Sequence, residues 1–476
     1  MAARRFASKG WLMLTSDKAT TADGARTWLP LVARAGVALR QLRGGNDERR
    51  APRDALIAFL VRVASAGILY LSQAVLARWM GSFEYGIYVF VWTWVLVLGG
   101  LSNLGLPTLM IRLVPEYREH GSEALLRGLL YWGRLVPFAV ASFIALLGLL
   151  ALHVWGDVLS SHYIVPAVIA LACVPMVAMS DAQDGIGRGR AWLVEALVPP
   201  YVLRPLLVLS AMVAAHTLGW PMSAVTAAGA AVAGTWVAAL VQTFLVGRRL
   251  RAELPPGPSA RTLRSWLGTS LPLLVISFSE ILLQTTDVLV VSQWMGPGDV
   301  AIYFAAAKTM SLVMFIHYAV GSAMANRFSA LNARGDREGL IAAIREAVNW
   351  TFWPSLAGAV IILFLGRPLL WLFGPQFADG YPVMSVLVIG FLARAAAGPS
   401  ELLLNMLGQQ RATACVAVVV AASTIVLNLL LVPRFGLIGA ASATAASLVI
   451  GASLNTAVAR LSLGLDIAIW SNLGRR

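Results

Sequence analysis

The chain has 476 residues, 58% of them hydrophobic and 13% charged, with a mean hydropathy of +0.75. Its apolar runs repeatedly reach the roughly 20 residues that cross a bilayer and are apolar on nearly every face, which excludes an ordinary soluble fold built from amphipathic helices. A net charge of +14 does not mark a nucleic-acid binder here, because the arginines sit in an N-terminal arm and in short loops, where anionic lipid accounts for them.

Residues 1–54 form a basic arm with eleven Lys and Arg, expected to be cytosolic and uncleaved, since WLML at 11–14 is too short for a signal-peptide core. Within it, Trp28 to Arg43 reads equally as a short amphipathic helix on anionic headgroups or as a disordered tail. Beyond the arm the hydrophobic pattern predicts twelve spanning helices, near 55–76, 85–106, 129–152, 162–180, 192–214, 221–246, 267–290, 300–323, 348–369, 380–399, 412–432 and 437–459. Alternate loops carry fifteen arginines on one side and only Arg78, Arg367 and Arg434 on the other. The positive-inside rule then puts both termini in the cytosol.

The chain is duplicated. An offset of 215 aligns Trp79 with Trp294, Met80 with Met295, Gly81 with Gly296, Ile87 with Ile302, Tyr88 with Tyr303 and Arg112 with Arg327. Six helices per copy is an even number, so both copies enter the membrane in the same direction, as two parallel lobes. The expected division is a first lobe over 55–247, a cytosolic linker over 248–264 containing Pro255, Pro256, Gly257 and Pro258, a second lobe over 265–460 and a cytosolic tail over 461–476. The predicted fold is therefore an all-α integral membrane protein of two six-helix lobes around a central cavity.

An ionisable group inside the membrane is costly and marks a polar cavity. On the seventh helix Ser277, Glu280, Gln284 and Asp287 share one face, and subtracting 215 gives Arg62, Ser65, Leu69 and Ser72 on the first. Lys308 on the eighth helix lies near mid-membrane, Arg204 on the fifth stands among Pro199, Pro200 and Pro205, and Arg394 lies toward the cytosolic side. Cations on several helices suit an anionic substrate, which makes Arg62, Lys308, Arg204 and Arg394 the candidate substrate-binding residues. Acids on one gating helix suit a coupling cation or an ion-pair latch, which makes Glu280, Gln284 and Asp287 the candidate coupling or gating residues; the structural alternative pairs Glu280 with Lys308.

No catalytic motif is present: there is no Walker loop or nucleophile elbow, GIGRGR at 185–190 lacks the preceding strand of a dinucleotide turn, and Cys173, Cys415 and the five scattered histidines, His317 among them, give no metal spacing. No cofactor, metal or nucleic acid is expected.

The segments ARWMGSFEYGIYVF, TTD with the following GPGDVAIYFAA, RFSALNARGDREGL and LLLVPRFGLIGAASATAAS resemble the polysaccharide transport family. These are O-antigen and exopolysaccharide lipid-linked oligosaccharide flippases of the multidrug/oligosaccharidyl-lipid/polysaccharide exporter superfamily. The resemblance covers Ala55 to about Arg460. It implies a cavity lined by helices one, two, seven and eight, and alternating access that moves an undecaprenyl-diphosphate-linked glycan out across the bacterial cytoplasmic membrane. The implied partners are that lipid-linked oligosaccharide, membrane lipids, a coupling H+ or Na+ and a polysaccharide polymerase of the same pathway. Related peptidoglycan-precursor flippases have two further helices and an Arg-Asp pair where this chain has Ser72 and Gln73. A drug/cation antiporter is the rival transport reading, disfavoured by the excess of cations. A membrane polymerase is the rival enzyme, disfavoured by outward loops of only about four to ten residues.

Overall fold

In a computed structural model the described residues are 50–156 and 160–473, with side chains described from residue 64 onward except at 155, 326, 472 and 473. Most of the basic arm, including the stretch from Trp28 to Arg43, lies outside the described residues. The helices in chain order are α1 (Arg50–Ser102), α2 (Leu106–Glu119), α3 (Glu123–Trp155), α4 (Ser161–Leu171), α5 (Val174–Gly189), α6 (Leu193–Val198), α7 (Arg204–Thr217), α8 (Ala224–Glu253), α9 (Leu263–Trp294), α10 (Pro297–Ser311), α11 (Met314–Ala333) and α12 (Arg337–Phe364). There follow α13 (Gly366–Trp371), α14 (Tyr381–Ala396), α15 (Ser400–Met406), α16 (Gln410–Leu463) and α17 (Ile469–Leu473).

Nine helical segments among the described residues, or ten with the bent pair α4 and α5, are long and apolar enough to cross a membrane. Two of them double back. Gly81 in α1 (φ 76°, ψ 170°) and Gly436 in α16 (φ 56°, ψ −133°) leave helical geometry, which only glycine does without strain. Tyr85 donates to Gln73 Oε1 at 2.8 Å, and Val420 lies against Gly451; both contacts are out of reach in straight helices. The hairpins bring the passes to the expected twelve.

The duplication is visible in backbone detail. Gly121 and Gly335, both left-handed (φ 63° and 69°) and one position short of the 215 offset, close α2 and α11 with the same bond, Ser122 N–H to Tyr117 O at 2.9 Å in the first copy and Asp336 N–H to Leu331 O at 3.1 Å in the second. Matched side chains agree as well. Leu69 and Gln284 are exposed, while Ser72 and Asp287, also related by the offset, are buried.

Two segments that border the lobes carry structure of their own. α8 continues through Arg248, Arg249 and Arg251 to Glu253, because no helix breaker arrives before Pro255 and Arg, Leu, Ala and Glu are good helix formers. What remains of the linker docks on the first lobe: Ala260 N–H donates to Ala124 O at 2.9 Å, and Arg127 donates to Pro255 O and Pro258 O. The tail after Leu463 folds back, burying Leu465, Ile467 and Ile469 against α11, α12 and α15.

The apolar core is shared at one end of the bundle and divided at the other. At the arginine-poor end one cluster runs through both lobes, joining Leu76, Tyr85 and Phe90 to Val300, Tyr303, Phe373 and Phe377. At the arginine-rich end there are two. One contains Leu109, Met110, Leu129 and Ile186 of the first lobe with Trp266 of α9; the other contains Met324, Phe328, Ile344 and Leu404 of the second.

Candidate functional site

The first hairpin fastens the lobes together at the arginine-poor end. Gly86 packs directly on the Pro297 carbonyl, an approach no larger residue would allow. Tyr70 Oη lies 3.1 Å from Thr309 Oγ1 and donates to Leu369 O at 3.4 Å, its ring sits edge-on to Phe373 at 5.3 Å, and the Arg78 guanidinium stands over Trp371 at 4.7 Å. A second seam runs along α9. Gly105, left-handed at φ 72°, lets the backbone between α1 and α2 touch Ser270 and Leu274, and Trp266 Nε1 donates to Tyr117 Oη at 3.1 Å.

Thr108 Oγ1 meets Ser277 Oγ at 3.3 Å on this seam. Ser277 begins the polar face of α9, so that face starts at the junction with α2. Trp94 (41%) and Leu101 (38%) are exposed within a run that is otherwise buried or half-buried, and Glu280 and Gln284 are exposed on α9 just before Thr285, Thr286, Asp287 and Val288 become buried. Where α10 is otherwise largely buried, Lys308 is exposed.

Asp287 is held. Its carboxylate accepts from Tyr303 Oη at 2.7 Å and from Val288 N–H at 2.8 Å, and Tyr303 Oη is also 3.3 Å from Thr444 Oγ1 of α16. Lys308 interacts electrostatically with Asp287, and its Nζ lies 5.2 Å from the Phe304 ring centre. The structure does not pair Glu280 with Lys308. Glu280 instead feels Arg394 and Glu401, and Arg394 Nη2 stands 3.6 Å from Glu401 Oε2, because the break between α14 and α15 at Gly398 brings Glu401 back beside Arg394. His317 also lies in the field of Arg394.

Arg204 follows a π-helical turn over Pro199–Leu203, where the prolines remove N–H donors and Arg204 N–H reaches back to Pro199 O. Its guanidinium stands over Trp92 at 5.4 Å and interacts with Asp181, whose carboxylate accepts from Asn103 Nδ2 at 2.8 Å. Arg62 falls on α1, and its side chain lies outside the described residues. The expected cations thus sit in separate groups, Lys308 with Asp287, Arg394 with Glu280 and Glu401, and Arg204 with Trp92 and Asp181. Asp181 and Glu401 stand just beyond the ends of the spans predicted over 162–180 and 380–399, which hides them from a search for charges inside the membrane. Their signal was available, since each is an acid bordering an apolar run that contains no other acid.

A family model described as "Polysaccharide biosynthesis protein" matches residues 52–331, and one described as MatE matches residues 272–433. No curated protein matches the chain. Among solved structures it is similar to a multidrug resistance MATE family transporter of the MOP superfamily in an inward-facing conformation, at 16% identity and a TM-score of 0.70, over 85% of this chain and 98% of that one. It is also similar to the lipid II flippase MurJ in an inward closed conformation, at 13% identity and a TM-score of 0.67, over 86% and 87%. An outward-facing MATE family transporter superposes with a TM-score of 0.63 at 16% identity, over 89% and 97%. The family match spans more than half of the residues and the two-lobed helical fold agrees with it, so the chain belongs to the polysaccharide biosynthesis protein family and has the fold of MOP-superfamily transporters.

Proposed function

We propose that this protein is a flippase that moves a lipid-linked oligosaccharide, carried on undecaprenyl diphosphate, outward across the bacterial cytoplasmic membrane by alternating access. The observation that carries this reading is the divided core. The lobes share one large apolar cluster at the arginine-poor end, whereas at the arginine-rich end the second lobe has a cluster of its own and the first reaches the second only through the start of α9 at Trp266, an arrangement that suits a transporter whose cavity faces the cytosol. Lys308, exposed on α10 within the membrane, supplies a cation for a diphosphate, with Arg62, Arg204 and Arg394 as further candidates.

Asp287 is proposed as the coupling carboxylate for H+ or Na+, with Glu280 and Gln284 on the same face of α9. Reconstituted vesicles loaded on one face with a radiolabelled undecaprenyl-diphosphate oligosaccharide test both claims. The wild-type chain should expose the label to an external glycosidase, faster under an imposed ion gradient, and Asp287→Asn should lose the gradient effect while inserting normally. Equal exposure with and without the protein would reject the flippase reading.

A second reading is favoured by the MatE match over 272–433 together with Asp181, Glu280 and Asp287: a cation-coupled antiporter for small molecules. In that case an organic cation, and not the lipid-linked glycan, would compete for the site in the same vesicles.

The proposed topology has its own test. With Cys415, which is exposed, replaced by Ser and Cys173 buried, a single cysteine at Leu218, 70% exposed at the arginine-poor end, should react with an impermeant thiol reagent in intact cells. One at Glu338, exposed at the arginine-rich end, should react only after permeabilisation. The reverse pattern would invert the proposed orientation.

A further inference from the structure

A second cationic pocket lies away from the lobe junction, inside the first lobe between α3 and α8. It has a volume of about 390 Å³ and is lined by Arg134, Thr243, Phe244, Gly247, Leu250 and Arg251. Arg134 stands five residues inside the predicted span that begins at 129, roughly 8 Å along α3, where an arginine without a counter-charge is costly. Among the described residues no carboxylate lies within ion-pair distance of Arg134 or Arg251. The nearby acids serve other arginines, Glu253 with Arg190 at 2.6 Å and Glu195 with Arg249 at 3.1 Å.

Arg134 is oriented by a relay. Its Nε donates to Gln183 Oε1 at 3.2 Å, and Gln183, fully buried, donates through Nε2 to Thr243 Oγ1 at 3.1 Å. That leaves Arg134 Nη2, itself buried, with no hydrogen-bond partner. An unsatisfied N–H on a fixed guanidinium, beside a second arginine and with no acid in the lining, is a site for an anion.

The surroundings choose between a soluble anion and a lipid. Trp236, Val237, Leu240 and Phe244 form an exposed apolar stripe along α8 (38%, 46%, 55% and 59%), leading to the pocket. On a membrane-spanning helix such a stripe faces acyl chains. Gly247 leaves open space above the helix, since a Cβ added there meets nothing within 4 Å. We propose that this pocket binds the phosphodiester headgroup of an anionic membrane phospholipid, held by Arg134 and Arg251 over Gly247, with an acyl chain along the stripe that ends at Phe244.

The test uses the full chain purified in neutral detergent and titrated separately with phosphatidylglycerol, phosphatidylcholine and inorganic phosphate, with thermal unfolding as the readout. Phosphatidylglycerol should raise Tm by several degrees, while phosphatidylcholine, whose choline the arginines repel, and phosphate alone should not. Arg251→Gln removes an exposed charge, and Gly247→Leu puts its Cβ into open space, so both variants should fold. Each should weaken the phosphatidylglycerol response by roughly tenfold in apparent Kd. Arg134→Gln should do the same, and if it fails to insert, the other two variants decide. Equal responses to phosphatidylglycerol and phosphatidylcholine, a full response to phosphate alone, or wild-type responses from both Arg251→Gln and Gly247→Leu would each overturn the proposal.

Discussion

Replacing Lys308 by Ala should leave lipid-linked repeat units on the cytosolic face and lower surface polysaccharide, while the protein still reaches the membrane at normal levels. Lys308 is exposed on α10, so its removal opens no packed core; the loss falls on whatever the ammonium binds and on Asp287. Loss of a hydrogen-bonded contact to a charged phosphate costs about 1.5 to 3 kcal/mol, which weakens the site roughly 10- to 150-fold. Lys308→Arg keeps the charge and should retain partial export. The partner variant separates binding from support. Asp287 is fixed by Tyr303 and by Val288 N–H, so Asp287→Asn together with Lys308→Ala should export no worse than Lys308→Ala alone if the acid acts through the lysine. An additive loss would mean two independent roles. Normal export from Lys308→Ala at normal protein levels would show that the headgroup binds elsewhere.

The architecture was legible in the sequence because membrane helices announce themselves by length and hydropathy, and because a duplication repeats its turns. Gly81 and Gly296 stand at the same offset, and both divide a pair of spans. The polar face of α9 was legible for the same reason, as four residues at helical spacing in an apolar run. Side-chain partnership was not. Glu280 and Lys308 are polar residues of opposite sign on consecutive spans, and sequence distance favours pairing them. The structure gives each a different neighbour, since the break at Gly398 returns Glu401 to Arg394 and the turn at Gly296 sets Lys308 near Asp287. Arg134 lies inside a predicted span, yet nothing in its local sequence shows that its bonded partner, Gln183, comes from a helix forty-nine positions away.

A disulfide between Ser82→Cys and Gly298→Cys should stop transport altogether, and reduction should restore it. Ser82 follows the turn of the first hairpin, and Gly298 is the second residue of α10. A Cβ built on Gly298 lies 3.9 Å from the Ser82 Cβ, inside the 3.5 to 4.5 Å range that a disulfide spans. Both positions are half-buried and neither has a left-handed backbone, so cysteine fits without strain and an oxidant can reach it. The bond would tie the lobes at the end where their apolar cores are already one, which alternating access requires them to separate. With Cys415 replaced, the oxidised double variant should expose no label in the vesicle assay, while each single variant works at near the wild-type rate. Gly86 provides the converse. A side chain there collides with the Pro297 carbonyl, so Gly86→Val should hold the same end apart and leave the Ser82 and Gly298 cysteines unable to bridge. Transport at the wild-type rate by a fully cross-linked protein would mean that the lobes never part at this end, and the substrate would have to leave by another route.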